Sequence, residues 1–258
     1  MPDHPAKFSA SVLEAIKAIS KRRIKTGQLV LDPFAGTGRI HDLADEMGWK
    51  STGVEIEPEW AAMHPRTKQG DSTTLTKMPT LRRFITRSGG LAAVITSVCY
   101  GNRMADHHNN QDPCKKCEGT GKVTRVFSPV RSEVVDCRSC KGTGLSLRHT
   151  YRHYYGEDLQ PNNSGTLQWG PAYQAFHERA WASLTSVMKP GGYFILNVSD
   201  HIRNHRRQRV EAWHLKTLAG LGWNLVERER VSTPRQKHGA NGEVRVASEG
   251  LFLLRLAS

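Results

Sequence analysis

The sequence contains no long hydrophobic run and no recognisable export signal. No stretch of about 18 apolar residues, the length of a membrane-spanning helix, occurs anywhere in the chain. The N-terminal residues Met1 to His4 lack the basic-then-apolar order of a secretory signal peptide. We therefore expect no transmembrane helix and a location in the cytoplasm.

Acidic residues are few beside the basic ones. Asp and Glu number 24 against 37 Lys and Arg, which gives a formal net charge of +13. Neutralising phosphates releases their condensed counterions, so this excess predicts a polyanionic partner; ordinary solubility charge is the alternative. The basic residues concentrate at 203–209 and 228–238, which favours a directed basic surface.

Cysteine is also scarce, and its placement is uneven. Of five cysteines, Cys114 with Cys117 and Cys137 with Cys140 form two Cys-x-x-Cys pairs, whereas Cys99 stands alone. This arrangement favours a metal site and one separate thiol over disulfide bonds.

The hydrophobic pattern alternates between strand-like and helix-like segments. A hydrophobic content of 38% over 258 residues suits one large α/β domain with a small appended module. The pattern predicts strands at 28–31, 51–56, 91–97 and 193–198, and helices at 11–21, 37–47, 171–188 and 210–221. This alternation predicts a mostly parallel, doubly wound sheet with helices on both faces.

Two details refine this fold. Ser11 and Glu14 have the spacing of a capping box at the start of the first helix. The late apolar runs 223–231 and 250–256 leave no room for a helix between them, so they should pair as an antiparallel final hairpin.

Between 111 and 149 the apolar periodicity lapses. The segment holds two closely matching halves, 114–121 and 137–144, each with the pattern Cys-x-x-Cys-x-Gly-x-Gly. We therefore divide the chain into a main domain, 1–110 and 150–258, and an inserted module, 111–149.

The cysteine spacing in the inserted module is typical of zinc. The two pairs are separated by a distance within the ~15–20 residues of a four-cysteine site. Both halves resemble the zinc domain of DnaJ-type chaperones. Four thiolates complete a tetrahedron and leave no position for water, so Zn²⁺ should be structural here; a redox or disulfide role is the alternative.

A glycine-rich turn follows the first predicted strand. Glycines at such a turn let the backbone pass close to a ligand, which Cβ atoms would obstruct. The turn comprises Asp32, Pro33, Phe34, Ala35, Gly36, Thr37 and Gly38. It resembles the first motif of S-adenosyl-L-methionine (SAM)-dependent methyltransferases of nucleic acids, particularly the DNA amino-methyltransferases; another nucleotide-binding turn is the alternative. The resemblance implies a Rossmann-like methyltransferase sheet, SAM as the methyl donor and a DNA base flipped into the active site.

Three further segments resemble cofactor-binding motifs of that family. Glu55 matches the acid that accepts hydrogen bonds from the ribose hydroxyls, with Glu57 as second choice. Asp71 matches the acid that meets the adenine amino group, with a solvated loop acid as the alternative. Lys7 and Phe8 lie in a segment similar to the one that lines the methionine end of the cofactor.

The loop after the strand at 91–97 departs from the family. The family's motif is Asp, Asn or Ser, then Pro-Pro, then Tyr or Phe, whereas here Ser97 and Tyr100 flank Val98 and Cys99. The resemblance implies that Ser97 and a following main-chain carbonyl hold an exocyclic amino group while Tyr100 stacks on the flipped base.

Cys99 suggests a different reaction. Enzymes that methylate carbon 5 of a pyrimidine first add a cysteine thiolate to carbon 6, and Cys99 lies where the base would be presented. Asp200 would replace the glutamate with which such enzymes protonate the ring, or it is structural. From the sequence we favour carbon-5 methylation of cytosine. The alternative is methylation of an amino group, at N4 of cytosine or N6 of adenine, by Ser97 and Tyr100. In that case Cys99 is a small buried hydrophobic residue.

The resemblance predicts DNA as the partner and a bacterial or phage-infected cell as the setting, as for restriction-modification, solitary or phage methyltransferases. The inserted module, rich in Lys and Arg, would recognise the target or merely brace the catalytic loop. An RNA methyltransferase and a catalytically inactive nucleic-acid-binding protein are the alternatives. The oligomeric state and a partner nuclease stay open.

Overall fold

The computed structural model describes residues 8–99, 113–128, 131–145, 159–203, 205–233 and 246–258. The chain forms two compact units: the sheet unit, Met1–Met104 with Leu159–Ser258, and the cysteine unit, Ala105–Asp158. In the described part of the chain, no helix combines the length and apolar character needed to cross a membrane.

The described residues form eleven strands and six α-helices. The strands are β1 (Leu29–Asp32), β2 (Lys50–Glu55), β3 (Thr67–Gln69), β4 (Leu91–Ser97), β5 (Lys122–Ser128), β6 (Arg131–Asp136), β7 (Met188–Val198), β8 (His201–Arg203), β9 (Arg206–Gln208), β10 (Trp223–Ser232) and β11 (Ser248–Leu256). The helices are α1 (Ala10–Ser20), α2 (Arg39–Met47), α3 (Pro58–Ala61), α4 (Pro79–Arg87), α5 (Pro171–Thr185) and α6 (Val210–Gly220), with 3-10 turns at Ser72–Lys77 and Ser164–Thr166.

A seven-stranded sheet organises the sheet unit, with the strand order β10-β11-β7-β4-β1-β2-β3. The pairs β7–β4, β4–β1, β1–β2 and β2–β3 are parallel. The pairs β11–β7 and β10–β11 are antiparallel. The predicted mostly parallel sheet with an antiparallel final hairpin is therefore confirmed.

Helices cover both faces of the sheet because successive side chains of a buried strand point to opposite sides. On β1, Leu29 and Leu31 join a core cluster with residues of α5 and α6, such as Trp181. Val30, between them, joins a second cluster with residues of α1 and α2, such as Ile16.

Two predicted boundaries were wrong. Helix α5 ends at Thr185, and Met188, predicted to lie on that helix, begins β7 opposite Leu91. The pairing of β7 with β4 then shifts in register, and Gly191 adopts a φ of +72° within the strand, so the Pro-Gly-Gly run lies in a bulge. At the start of α1 the cap is Ser9, whose hydroxyl accepts a hydrogen bond from the Val12 N–H at 3.3 Å.

The cysteine unit is built around an antiparallel pair. Strands β5 and β6 pair in register from Lys122 opposite Asp136. The two Cys-x-x-Cys turns exchange backbone hydrogen bonds, from Cys114 N–H to the Gly144 carbonyl and from Cys137 N–H to the Gly121 carbonyl, both at 2.8 Å. The two halves of the sequence repeat are thus joined as a reciprocal pair.

Candidate active site

The first part of the site is the turn after β1. Asp32 is buried at the end of the strand, where one carboxylate oxygen accepts hydrogen bonds from the Phe34 N–H at 2.9 Å and the Thr96 hydroxyl at 2.6 Å. Burial raises the pKa of Asp32 to about 7. This carboxyl group therefore holds the backbone of the turn at Phe34.

Glu55, at the end of β2, binds the backbone of the turn at Gly36. Its two carboxylate oxygens accept hydrogen bonds from the N–H of Gly36 at 2.8 Å and of Glu57 at 3.0 Å. Burial raises the pKa of Glu55 to about 7. Gly38, with a φ of +87°, begins α2, and a Cβ there would lie 2.9 Å from the His64 side chain. The turn thus requires glycine for conformation and for packing.

One pocket brings seven of the sequence-predicted site residues together. Its lining includes Pro33, Phe34, Gly36, Glu55, Asp71, Ser97 and Cys99. Asp71 accepts hydrogen bonds from Thr73 through one oxygen at 2.8 Å and from the Asn162 side chain through the other at 3.0 Å. The carboxyl ends of β1, β2 and β4 therefore converge on a cleft, in which Glu55, Asp71 and Ser97 come from separate segments of the chain.

Several predicted residues lie elsewhere. Ala35, Thr37 and Gly38 belong to the turn but do not line the pocket. Phe8 is partly buried against the cluster that contains α1 and α2. Lys7 and Tyr100 lie outside the described residues.

Asp200 is held away from this pocket by structural contacts. Its carboxylate accepts hydrogen bonds from Arg207 Nε at 2.8 Å and from the backbone N–H of Glu211 at 2.9 Å, at the start of α6. It is not among the residues that line the pocket. These contacts support the structural alternative for Asp200.

The segment 160–164, which follows the insertion, was not predicted from the sequence to belong to the site. Asn162, Asn163 and Ser164 of this segment line the pocket, together with Trp60 of α3 and Phe176 of α5. Glu57 holds this segment, since one of its oxygens accepts hydrogen bonds from the Gln160 N–H at 2.9 Å and from Asn163 Nδ2 at 2.5 Å. These partners are more than 100 residues apart in the sequence, and no local pattern connects them.

Ser97 is oriented as a hydrogen-bond acceptor toward the pocket. Its hydroxyl donates to Asn197 Oδ1 at 3.0 Å, from the neighbouring strand β7. A hydroxyl has a single proton to donate, so its lone pairs remain available to accept a hydrogen bond. Asn197 therefore fixes the hydroxyl in an acceptor role.

Cys99 is held by its carbonyl and its thiol. Burial raises the pKa of the thiol to about 11, the Glu55 carboxylate adds to that shift, and a hydrogen bond with the Ser164 side chain opposes it. The main-chain carbonyl accepts a hydrogen bond from the Tyr173 hydroxyl at 2.8 Å. The thiol is thus kept protonated at neutral pH.

A chain of hydrogen bonds runs from the core to this carbonyl. Trp181 Nε1–H donates to His214 Nδ1 at 3.0 Å, so the second imidazole nitrogen of neutral His214 carries the proton and donates to the Tyr173 hydroxyl at 2.9 Å. Burial holds the pKa of His214 well below its ordinary value. The Tyr173 hydroxyl is thereby directed to donate to Cys99.

The four remaining cysteines form a separate candidate metal centre. All four Sγ atoms lie within 4.8 Å of one another, at 3.9 Å for Cys114 and Cys137 and 3.6 Å for Cys117 and Cys140. A tetrahedral zinc site with Zn–S bonds of about 2.3 Å places its sulfurs about 3.8 Å apart. The Gly121 N–H also points at the Cys117 sulfur at 3.3 Å. The donor set and its geometry therefore fit Zn²⁺.

A protein-family model matches the N-terminal part of the chain. A family model described as DNA methylase (N6_N4_Mtase) matches residues 2–64, about a quarter of the chain. The matched region contains β1, the glycine turn and Glu55, and it ends before Ser97. It thus covers the cofactor half of the pocket. No curated protein matches the sequence.

Solved structures that match this chain are numerous, and the following three are 10–12% identical to it. The [4+2]-cyclase SpnF is 12% identical, with a TM-score of 0.50 over 99% of this chain and 85% of its own. TrmN from Thermus thermophilus is 12% identical, with a TM-score of 0.49 over 95% of this chain, which spans about half (48%) of TrmN. A SAM-dependent methyltransferase from Methanosarcina mazei is 10% identical, with a TM-score of 0.49 over 93% of this chain and 97% of its own. At this level of identity the likeness to SpnF shows a shared fold.

Proposed function

We propose that the protein is a SAM-dependent DNA methyltransferase that methylates an exocyclic amino group of a flipped base. The observation that carries the proposal is the pocket in which Gly36, Glu55 and Asp71 meet Ser97. The DNA methylase model supports the cofactor half of this assignment, and the net charge of +13 supports a nucleic-acid partner.

SAM, when bound, supplies an electrophilic methyl group on a sulfonium. Glu55 and Asp71 would hold its ribose and adenine, since both carboxylates line the pocket and both groups offer N–H or O–H donors to them. The Gly36 backbone allows close approach of the cofactor. The same residue types are found in the cofactor motifs that the sequence resembles.

Ser97 supports amino-group chemistry. The lone pair of a base amino group is delocalised into the ring, and a hydrogen bond from its N–H to an acceptor draws it toward the geometry needed for attack. Asn197 takes the proton of the Ser97 hydroxyl, so Ser97 can accept that bond. A base nitrogen held by Ser97 would take the methyl group as the bond from that carbon to the SAM sulfur breaks, and the proton lost from the amino group would pass to water.

The protonation of the Cys99 thiol favours amino-group methylation over methylation at carbon 5 of cytosine. Attack on carbon 6 needs a thiolate, and the rise in the pKa of the Cys99 thiol to about 11, caused by burial and by the Glu55 carboxylate, disfavours that form. Asp200, the candidate proton donor, is bound to Arg207 and to the start of α6. Both observations favour amino-group methylation in our proposal.

A matched pair of variants tests this choice. We expect Ser97→Ala to lower the rate of methyl transfer about 100-fold, since it removes a charge-polarising acceptor, while Cys99→Ala stays within a few-fold of wild type. The measurement is transfer of labelled methyl to DNA, followed by mass spectrometry of the nucleosides. N4-methylcytosine or N6-methyladenine is the expected product. Appearance of 5-methylcytosine, or inactivity of Cys99→Ala, contradicts the proposal.

The raised pKa of Glu55 predicts a pH dependence of cofactor binding. Only the ionised carboxylate accepts hydrogen bonds through both oxygens, so SAM should bind about tenfold more weakly at pH 6 than at pH 8. Calorimetric titration measures the affinity. Glu55→Gln should reduce the dependence to what Asp32, whose pKa is also about 7, contributes, and Glu59→Gln, at an exposed glutamate of α3, should retain it in full. Equal wild-type affinity at both pH values would refute this role for Glu55.

We also propose that the four cysteines of the cysteine unit bind a structural zinc ion. The sulfur spacing and the closed four-thiolate set support that assignment. In this proposal the catalytic domain comprises residues 1–110 and 150–258, and the zinc module comprises residues 111–149. The methyl-transfer site and the metal site then lie in separate segments of the chain.

A further inference from the structure

A short basic hairpin follows the central strand β7. Strands β8 and β9 pair antiparallel, with His201 opposite Gln208, Ile202 opposite Arg207 and Arg203 opposite Arg206. The turn between them includes His205 with a φ of +58°. Tight turns with positive φ match the twist of a two-stranded ribbon. The hairpin is therefore a short two-stranded ribbon with a tight turn.

The base of this hairpin is fixed to the sheet. The buried carboxylate of Asp200 accepts hydrogen bonds from Arg207 of β9 and from the backbone N–H of Glu211 in the first turn of α6. The guanidinium of Arg203 donates to the Trp169 carbonyl at 3.4 Å. The hairpin is thus held at the carboxyl end of β7 by both strands.

That position is close to the candidate base pocket. Asn197 of β7 pairs with Ser97 of β4 and hydrogen-bonds its hydroxyl. His201 follows only four residues after Asn197, so at most about 14 Å of chain separates the hairpin from that pair. A ligand that places one group in the pocket and extends beyond it would contact the hairpin.

The charge on the hairpin is unfavourable without a partner. Arg203 and Arg206 lie directly opposite each other and so share one face, with Cβ atoms about 5 Å apart, where like charges destabilise a strand pair. Both side chains are exposed, and in the described ranges neither forms an ion pair with a carboxylate. A polyanion on this face would remove the repulsion.

We propose that the β8–β9 hairpin is a DNA-binding ribbon, in which Arg203 and Arg206 bind phosphates of the target strand beside the flipped base. Guanidinium groups bind phosphate oxygens in a bidentate manner, and such contacts set the register of a duplex on a protein. Asp200 is then a positioning residue that holds the ribbon through Arg207. The identity of the ligand as target DNA rests on the proposed function.

A double variant with a matched control tests the ribbon. Titration of a fluorescent DNA duplex should show a roughly 10- to 100-fold weaker affinity for Arg203→Ala/Arg206→Ala, with a salt slope smaller by about two. Arg83→Ala/Arg87→Ala removes two exposed arginines from α4, toward the β3 edge of the sheet, and should change the affinity only a few-fold. Equal losses in both double variants, or tighter wild-type binding of the matching RNA duplex, overturn the proposal.

Asp200→Asn separates positioning from catalysis. We expect the variant to raise the KM for DNA several-fold and to leave kcat and SAM affinity near the wild-type values. Loss of kcat at saturating DNA would overturn the positioning role. If wild type transfers no methyl group, the proposed function fails, whereas the DNA titration still decides the fate of the hairpin proposal.

Discussion

Removal of metal is expected to unfold the cysteine unit and to leave the sheet unit folded. The described core of the cysteine unit consists of the four cysteines with Val123 packed against them. Val126, Phe127 and Val134 of β5 and β6 are more than half exposed, at 69, 52 and 65%. Without a hydrophobic core, folding must draw on metal binding, which supplies about 10–16 kcal/mol in zinc-finger peptides.

Hydrogen exchange before and after chelation measures this effect. Amides of β5 and β6 should lose their protection when zinc is removed, while those of β1 and β4 keep theirs. Cys117→Ser should bind little zinc under the same conditions, and Cys99→Ser, outside the cluster, should bind a full equivalent. Unchanged protection of β5 and β6 in metal-free protein would contradict a folding role for the metal.

The second large effect is expected in the core beneath the candidate site. Trp181 is fully buried, contacts Phe34 and Phe194 edge-to-face with ring centroids 5.9 and 5.2 Å apart, and donates to His214. Trp181→Ala should lower the free energy of unfolding by about 4 kcal/mol, because it leaves a cavity and an unpaired buried acceptor. Denaturant unfolding of the sheet unit measures this change.

Trp181→Phe distinguishes the hydrogen bond from the volume. It retains most of the aromatic contact but leaves His214 Nδ1 without its donor, so we expect a loss of about 1–2 kcal/mol. A loss as large as that of Trp181→Ala would mean that the hydrogen bond, and not the packing, dominates. Equal stability of Trp181→Phe and wild type would remove the basis for the directed Tyr173–Cys99 contact.

Features with local causes were predictable from the sequence. The glycine turn at 32–38 combines a strand end, a tight turn and a helix start within one short string, and it lies where predicted. The two Cys-x-x-Cys turns need only short-range spacing and four thiols, and the four sulfurs meet. The final hairpin followed from chain length, because a helix could not fit between its strands.

Features that depend on distant partners were not predictable in the same way. Whether Asp200 meets a base or a guanidinium depends on Arg207 and on the start of α6, which no pattern around Asp200 reveals. The pKa of Cys99 depends on its burial and on Glu55, which is 44 positions earlier in the chain. Their roles therefore changed once the surroundings were known.

The sequence by itself determined the sheet, the glycine turn and the spacing of the four clustered cysteines, because backbone conformation and hydrophobic periodicity are set by neighbouring residues. The tertiary structure decided which groups can ionise, donate or accept in the candidate site. Desolvation and hydrogen-bond geometry depend on side chains brought together from β2, β4, β7 and the segment after the insertion, and that assembly exists only in the folded chain.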